Sequence, residues 1–307
     1  MHPMKKVMVA TDMSLLARRA EVRAAMVVRE LGCESLDVIY IDDRTALESL
    51  HNLIRSPRDI GLQLAESTNK QMMETARNLR EHYSIEVTAT RLEVGRVHIE
   101  IVRYARSIDA GLVVLGAHGG SFIREMFIGS TVDKVLRMLD RPLLIVKQEP
   151  RTAYQQVLVP VDFSESSRLG IKIAMHIAPH AKITVLHAFE APLEARMRFD
   201  EVSEATILTY RSQLRAQKYQ ALREFVSEWE GVDCSLTPVI EFGPAATMIT
   251  AKAASLGADL IVIGKHGQSA WESMLLGSVT KRVIQEASCD ILVVEQMETT
   301  PVGGSWQ

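Results

Sequence analysis

The chain has 307 residues, 47% apolar and 24% charged, with a formal net charge of −3. That length suits two domains of roughly 100–200 residues, and without a basic block in either half no nucleic-acid footprint is visible. No apolar run reaches the ~18 residues of a membrane span, and the apolar stretch after Lys5-Lys6 is too short for a signal-peptide core.

In chain order, Val/Ile-rich runs at 5–11, 35–41, 85–92, 111–116 and 142–147 read as strands, with amphipathic stretches at 14–31, 60–82, 98–108 and 130–139 between them. A stretch at 148–154 containing Pro150 reads as a linker. Strands then recur at 156–161, 182–188, 234–241, 259–263 and 290–295, with one long helix expected over 200–230. The second series repeats the first. Lys5-Lys6-Val7-Met8-Val9-Ala10-Thr11-Asp12 returns as Gln155-Gln156-Val157-Leu158-Val159-Pro160-Val161-Asp162, and Gly116-Ala117-His118-Gly119 as Gly264-Lys265-His266-Gly267. Gly129-Ser130 and Gly277-Ser278 follow at the same spacing. A fixed period of this kind marks a duplication. The expected domains are 1–148 and 156–297. Near-continuous apolar strands alternating with helices predict an α/β fold of two tandem open parallel sheets covered on both faces.

Ligands of such sheets bind beyond the carboxyl ends of the strands. There each copy has Gly-x2-Gly-x9-Gly-Ser, glycines that let backbone amides approach an anion, and a helix start whose dipole favours phosphate. Ser130 and Ser278 suit a cap of that helix or a hydroxyl contact to the phosphate. Asp12 and Asp162 close the first strand of each copy and suit either a helix cap or a carboxylate reaching ribose or nucleotide-bound Mg²⁺. His118 and His266, sharing one loop position, read more simply as backbone-bonded histidines than as acid–base groups. His176 and His180, four apart and near His187, lack a completing ligand for a metal and read as a solvated helix face. Met72, Met73, Met126, Met274, Trp229 and Trp271 read as packing. Cys33, Cys234 and Cys289, an odd count without metal-ligand spacing, fit a reducing, cytoplasmic setting.

The pattern Gly-x2-Gly-x9-Gly-Ser after a fourth strand, with an Asp after the first, resembles the ATP-binding subgroup of the universal stress protein family, once in each half. The resemblance implies strand order 3-2-1-4-5 and ATP, AMP or ADP over the carboxyl edge with Mg²⁺. In the first copy it implies contacts from Ala10, Thr11, Asp12, Ile41, Leu115, Gly116, His118, Gly119, Gly129, Ser130 and Thr131. In the second it implies Pro160, Val161, Asp162, Ala188, Ile263, Gly264, His266, Gly267, Gly277, Ser278 and Val279. It also implies fifth strands paired within the chain as a pseudo-dimer, or a homodimer, and a regulatory protein partner. The family's Pro-x-Asp is kept at Pro160-Val161-Asp162 but is Ala10-Thr11-Asp12 in the first copy. Gly120 and Gln268 stand where the family commonly has a basic residue, and Glu125 and Glu272 lie in the spacers.

Three other functions compete with a nucleotide-binding regulator. An ATPase or phosphotransfer enzyme lacks the Gly-x4-Gly-Lys-Ser/Thr loop here. A phosphoacceptor domain lacks an Asp after the third strands, which lead into Glu93-Val94-Gly95 and Glu241-Phe242-Gly243. A scaffold with vestigial sites, and a lipid or other small ligand in place of ATP, stay open.

Overall fold

The structure, a computed structural model, describes residues 4–43, 57–117, 129–229, 236–267 and 276–295. The first copy runs β1 (Lys6–Thr11), α1 (Leu15–Leu31), β2 (Ser35–Asp43), α2 (Pro57–Tyr83), β3 (Val87–Gly95), α3 (Val97–Ser107), β4 (Leu112–Gly116), α4 (Ser130–Met138) and β5 (Leu143–Val146). The second runs β6 (Gln156–Pro160), α5 (Glu165–Ile177), β7 (Lys182–Phe189), α6 (Glu194–Phe199), α7 (Glu204–Val226), β8 (Leu236–Phe242), α8 (Ala245–Leu256), β9 (Leu260–Gly264), α9 (Ser278–Glu286) and β10 (Asp290–Val294).

Local signals explain the punctuation. Ser14 and Ser164 cap α1 and α5 by accepting from Ala17 N–H and Ser167 N–H, satisfying amides that a helix start leaves over. Gly32 ends α1 in the left-handed conformation, with φ of 60°, where a Cβ is disfavoured. The long helix expected over 200–230 is α7, which begins at Glu204, after a turn that separates it from α6. Glu201 turns at a φ of 54°, and Ser203 then accepts from Thr206 N–H to start a new helix. The short α6 before that turn was not legible.

The two five-stranded sheets are halves of one ten-stranded sheet, ordered β3-β2-β1-β4-β5-β10-β9-β6-β7-β8. Each half keeps the order 3-2-1-4-5 with parallel pairing. At the join β5 and β10 run antiparallel, with Ile145 opposite Ile291 and Leu144 opposite Leu292. Side chains alternate between two cores. Val7, Val9, Val157 and Val159 face the layer of α1, α2, α5 and α7. Met8, Leu158, Leu143 and Ile291 face α3, α4, α8 and α9. Both cores run across the domain boundary.

The join also carries buried charge. Asp290, fully buried, accepts from Arg23 Nε at 3.2 Å, Tyr154 Oη at 2.9 Å and the Lys147 and Gln148 amides at 2.8 and 3.0 Å. Arg23 also donates to Thr152 O at 2.8 Å and lies over the Tyr154 ring. Buried charges persist when paired and fully bonded in this way. Lys147 Nζ meets the carbonyls of Ile284 and Ala287 at the end of α9, where a cation also complements the helix dipole.

Candidate functional site

The end of a parallel strand turns away from its neighbours, and where β6 and β9 diverge the second copy opens a cleft of about 200 Å³. Its floor comes from Pro160, Val161 and Asp162 after β6 and from Leu186, His187 and Ala188 on β7. Ile263, Gly264, His266 and Gly267 follow β9, and Gly277, Ser278, Val279 and Thr280 open α9. All eleven second-copy residues singled out in the sequence line this one cavity. Ser167, Leu186, His187, Ala245, Ile249 and Thr280 line it as well and were missed as site residues. Ser167 had a signal, because it follows the capping Ser164 by three. Ala245 and Ile249 come from α8, which carries no motif.

The carboxylate is held tightly. Asp162 Oδ1 accepts from Ser164 N at 3.1 Å, Ser164 Oγ at 2.6 Å and Ser167 Oγ at 2.7 Å. It does not cap α5; Ser164 does, and Asp162 fixes the turn before it. Its Oδ2 would lie 2.8 Å from a Cβ placed on Gly267, so glycine there lets the loop close over the carboxylate. Phe163 follows at a φ of 68°, as Met13 follows Asp12 at 62°, an uncommon conformation for residues with a side chain.

The helix start is preset too. Gly277 N–H donates to Lys265 O at 3.0 Å and Thr280 Oγ1 to Gly264 O at 2.8 Å, tying α9 to the end of β9. Gly277 is itself the N-cap and supplies no side chain. Ser278, and Ser130 in the first copy, are therefore first helical residues and not caps. Geometry leaves the first amides of such a helix without intrahelical partners.

His187 sits beneath the cleft, stacked on Phe163 with ring centroids 4.3 Å apart. Burial lowers its pKa, against a smaller upward pull from its bond to Val161 O. That bond, 2.9 Å from Nδ1, places the ring proton on Nδ1, because a carbonyl can only accept.

The first copy repeats the frame. Ala10 and Gly116 are half-buried strand ends, and Thr11, Ile41 and Leu115 are buried. Asp12 Oδ1 accepts from Ser14 N at 3.0 Å. Gly129 N–H donates to Ala117 O at 3.0 Å and caps α4, ahead of Ser130 and Thr131. His118 and Gly119, with Gly120 and Glu125, lie outside the described residues, as do Gln268, Glu272, Met126, Met274, Trp271 and Cys234. Among the described residues no group of three His, Cys, Asp or Glu could hold a metal. His180 approaches Glu30 at 3.8 Å on the surface. Met72 and Trp229 are buried, whereas Met73 is exposed. Burial pushes the Cys33 and Cys289 thiols up to about 11 and about 12, which leaves them poor nucleophiles. No described helix is long and apolar enough to cross a membrane.

A tandem pair of open parallel α/β domains, with a cleft at the strand switch point, is thus the class of protein this chain represents. Sequence comparison matches the universal stress protein family twice, over residues 3–147 and 153–295. The chain belongs to that family. It is similar to a universal stress protein of Mycobacterium tuberculosis strain H37Rv, 26% identical over 73% of this chain and 71% of the relative. A second from that strain is 27% identical over 62% of this chain and 63% of the relative, so the chain spans less than two thirds of that protein. In fold it is similar to a universal stress protein from Archaeoglobus fulgidus, with a TM-score of 0.70 and 19% identity over 95% of this chain and 98% of that one.

Proposed function

We propose that this protein binds adenine nucleotides at the carboxyl edge of its sheet and acts as a nucleotide-dependent regulator, not as an efficient enzyme. The observation that carries this reading is the second cleft. It joins an apolar slot (Leu186, Ile249, Ile263) to a helix start capped only by glycine, with a fixed carboxylate between them. An aromatic base fits the slot, a ribose hydroxyl or phosphate-bound Mg²⁺ fits Asp162, and phosphate fits the amides of Ser278 and Val279. Ala188 backbone, like Ile41 in the first copy, would meet the base. The first copy would bind through Asp12, Gly129, Ser130 and Thr131, no more tightly than the second.

Weak turnover follows from the same groups. Asp162 Oδ1 already accepts three hydrogen bonds from the turn before α5, which commit it to that turn and not to orienting a water. A positioned general base contributes about 10²–10⁴-fold. Bound nucleotide would instead bridge the turn at Gly267 and the helix start at Gly277 and change the surface offered to a protein partner.

Calorimetry with Mg-ATP on the full chain and on Gly277→Val and Gly129→Val, alongside a hydrolysis assay, tests this. A Cβ at Gly277 would lie 3.2 Å from Lys265 O, so Gly277→Val should remove the tighter site. Absence of any nucleotide binding would sink the reading. So would turnover near a typical enzyme's ~10 s⁻¹ that is lost in Asp162→Ala.

A further inference from the structure

An anionic ligand in the second cleft needs positive charge, yet the described lining contains one carboxylate, Asp162, and neither lysine nor arginine. It does contain an unexplained imidazole. Both ring nitrogens of His266 are buried and have no hydrogen-bond partner. Buried polar atoms are nearly always bonded, and an orphan calls for a missing partner or a functional role. Beside the ring stands Glu295, its Oε1 3.6 Å from His266 Nε2, beyond hydrogen-bond range. Glu295 is not adventitious. Its Oε2 is held at 2.6 Å by Lys265 Nζ, which also donates to Leu139 O at 3.0 Å, and the Lys265 side chain is 5% exposed. Lys265, Glu295 and Asp162 together carry one net negative charge, so a protonated His266 makes the group neutral.

We propose that His266 is the cation of the second cleft, its imidazolium donating a hydrogen bond to a phosphoryl oxygen of the ligand while Glu295 backs the ring. This rests on the nucleotide reading and adds a regulatory consequence. A phosphoryl group near His266 favours the protonated ring, so binding takes up a proton, and affinity rises as pH falls until the ring is charged in the free protein too. The groups facing His266 are Glu295, Lys265 and, across Gly267, Asp162. His187 shares the cleft, but it is kept neutral by burial and its Nδ1 proton is committed to Val161 O. The first copy has Ala117 in place of Lys265 and Lys147 in place of Glu295, and therefore lacks this arrangement.

The test is calorimetry on the full chain with ATP and with adenosine, from pH 8.5 to 6.5, in buffers of differing ionisation enthalpy. Mg²⁺ is kept saturating, because it holds the last proton off the triphosphate across that window and the ligand then does not supply the proton change. For the native protein ATP should bind more tightly at pH 6.5 with net proton uptake, and adenosine should show neither effect. His266→Gln keeps an amide donor without the charge. It should weaken ATP at pH 6.5 by about tenfold, the size of a charge-assisted hydrogen bond, and abolish the uptake. Equal pH dependence for adenosine and ATP overturns the proposal, and needs no variant. So does unchanged proton uptake in His266→Gln, with the nucleotide reading left standing. Failure of both ligands to bind at any pH removes the reading and this proposal together.

Discussion

The two copies share a backbone and differ in what is buried beneath it. Gly129 and Gly277 adopt the same conformation, with φ of −56° and −57°, and Ser14 and Ser164 make the same cap. Below that frame, Val161 and Ile171 of the second copy are replaced in the first by Thr11 and Glu21, whose hydroxyl and carboxylate bond in the interior. Ser167, a donor to Asp162, is replaced by Ala17. Ile173 is replaced by Arg23, which pairs with Asp290 at the join. Motif residues fix where a site is, and the residues one layer away decide how well its carboxylate is held and what the domain spends its polarity on.

The comparison breaks most severely at the join. Asp290→Ala should cost about 3–5 kcal/mol, the usual effect of stripping one partner from a buried ion pair. Arg23 would be left buried, with Tyr154 and two amides deprived of their acceptor. Urea denaturation measures it; a loss under 1 kcal/mol would mean the network is incidental. Next in size, Ser167→Ala should make Asp162 resemble Asp12. Losing a hydrogen bond to a charged acceptor is worth about 1.5–3 kcal/mol, so if Asp162 contacts the nucleotide, affinity at the second site should fall by about tenfold. A titration in which Ser167→Ala binds as the native chain does would separate Asp162 from the ligand.

Two smaller effects separate the copies by pH. The folded pKa of His187 is lowered, chiefly by burial. Its contribution to stability is therefore present above the unfolded value near ~6.5 and lost as pH falls below it. His187→Gln should flatten the fall in melting temperature from pH 7 to 5. Glu21 behaves oppositely. Burial raises its pKa despite the Thr11 bond, so its contribution is complete below the unfolded value near ~4.3 and is lost as pH rises through the folded one. Glu21→Gln, which can still accept from Thr11, should raise the melting temperature more at pH 8 than at pH 4. An equal change at both would place the effect in packing.

The strands and the lining of the second cleft were legible because they rest on short-range signals, whereas the strand order came only with the family resemblance. Val/Ile runs, glycines at fixed spacing and a repeated Asp each act within a few residues of where they stand. What escaped depends on distance. No local pattern reports that Ala245 and Ile249 of α8 close the slot, or that Arg23 meets Asp290 across the join. The six-residue α6, Glu194–Phe199, lies outside every helix expected from the sequence, and the left-handed turn at Glu201 separates it from α7. His266 was read as a backbone-bonded histidine, whereas its ring has no such partner.

The antiparallel seam between β5 and β10 has a consequence for how the chain evolves. Halves that meet as separate molecules must fit a copy of themselves, and every change is imposed twice at the shared edge. Here each seam contains one strand of each kind, joined by a tether from Val146 to Gln156 that keeps their local concentration high at any dilution. A change on one side needs an answer only on the other. Arg23 could arise without a twin, Asp290 could answer it from a position that is Pro142 in the other half, and Lys147 could turn to the carbonyls at the end of α9 while its counterpart Glu295 holds Lys265. Covalent linkage releases each half to specialise while the ten-stranded sheet holds.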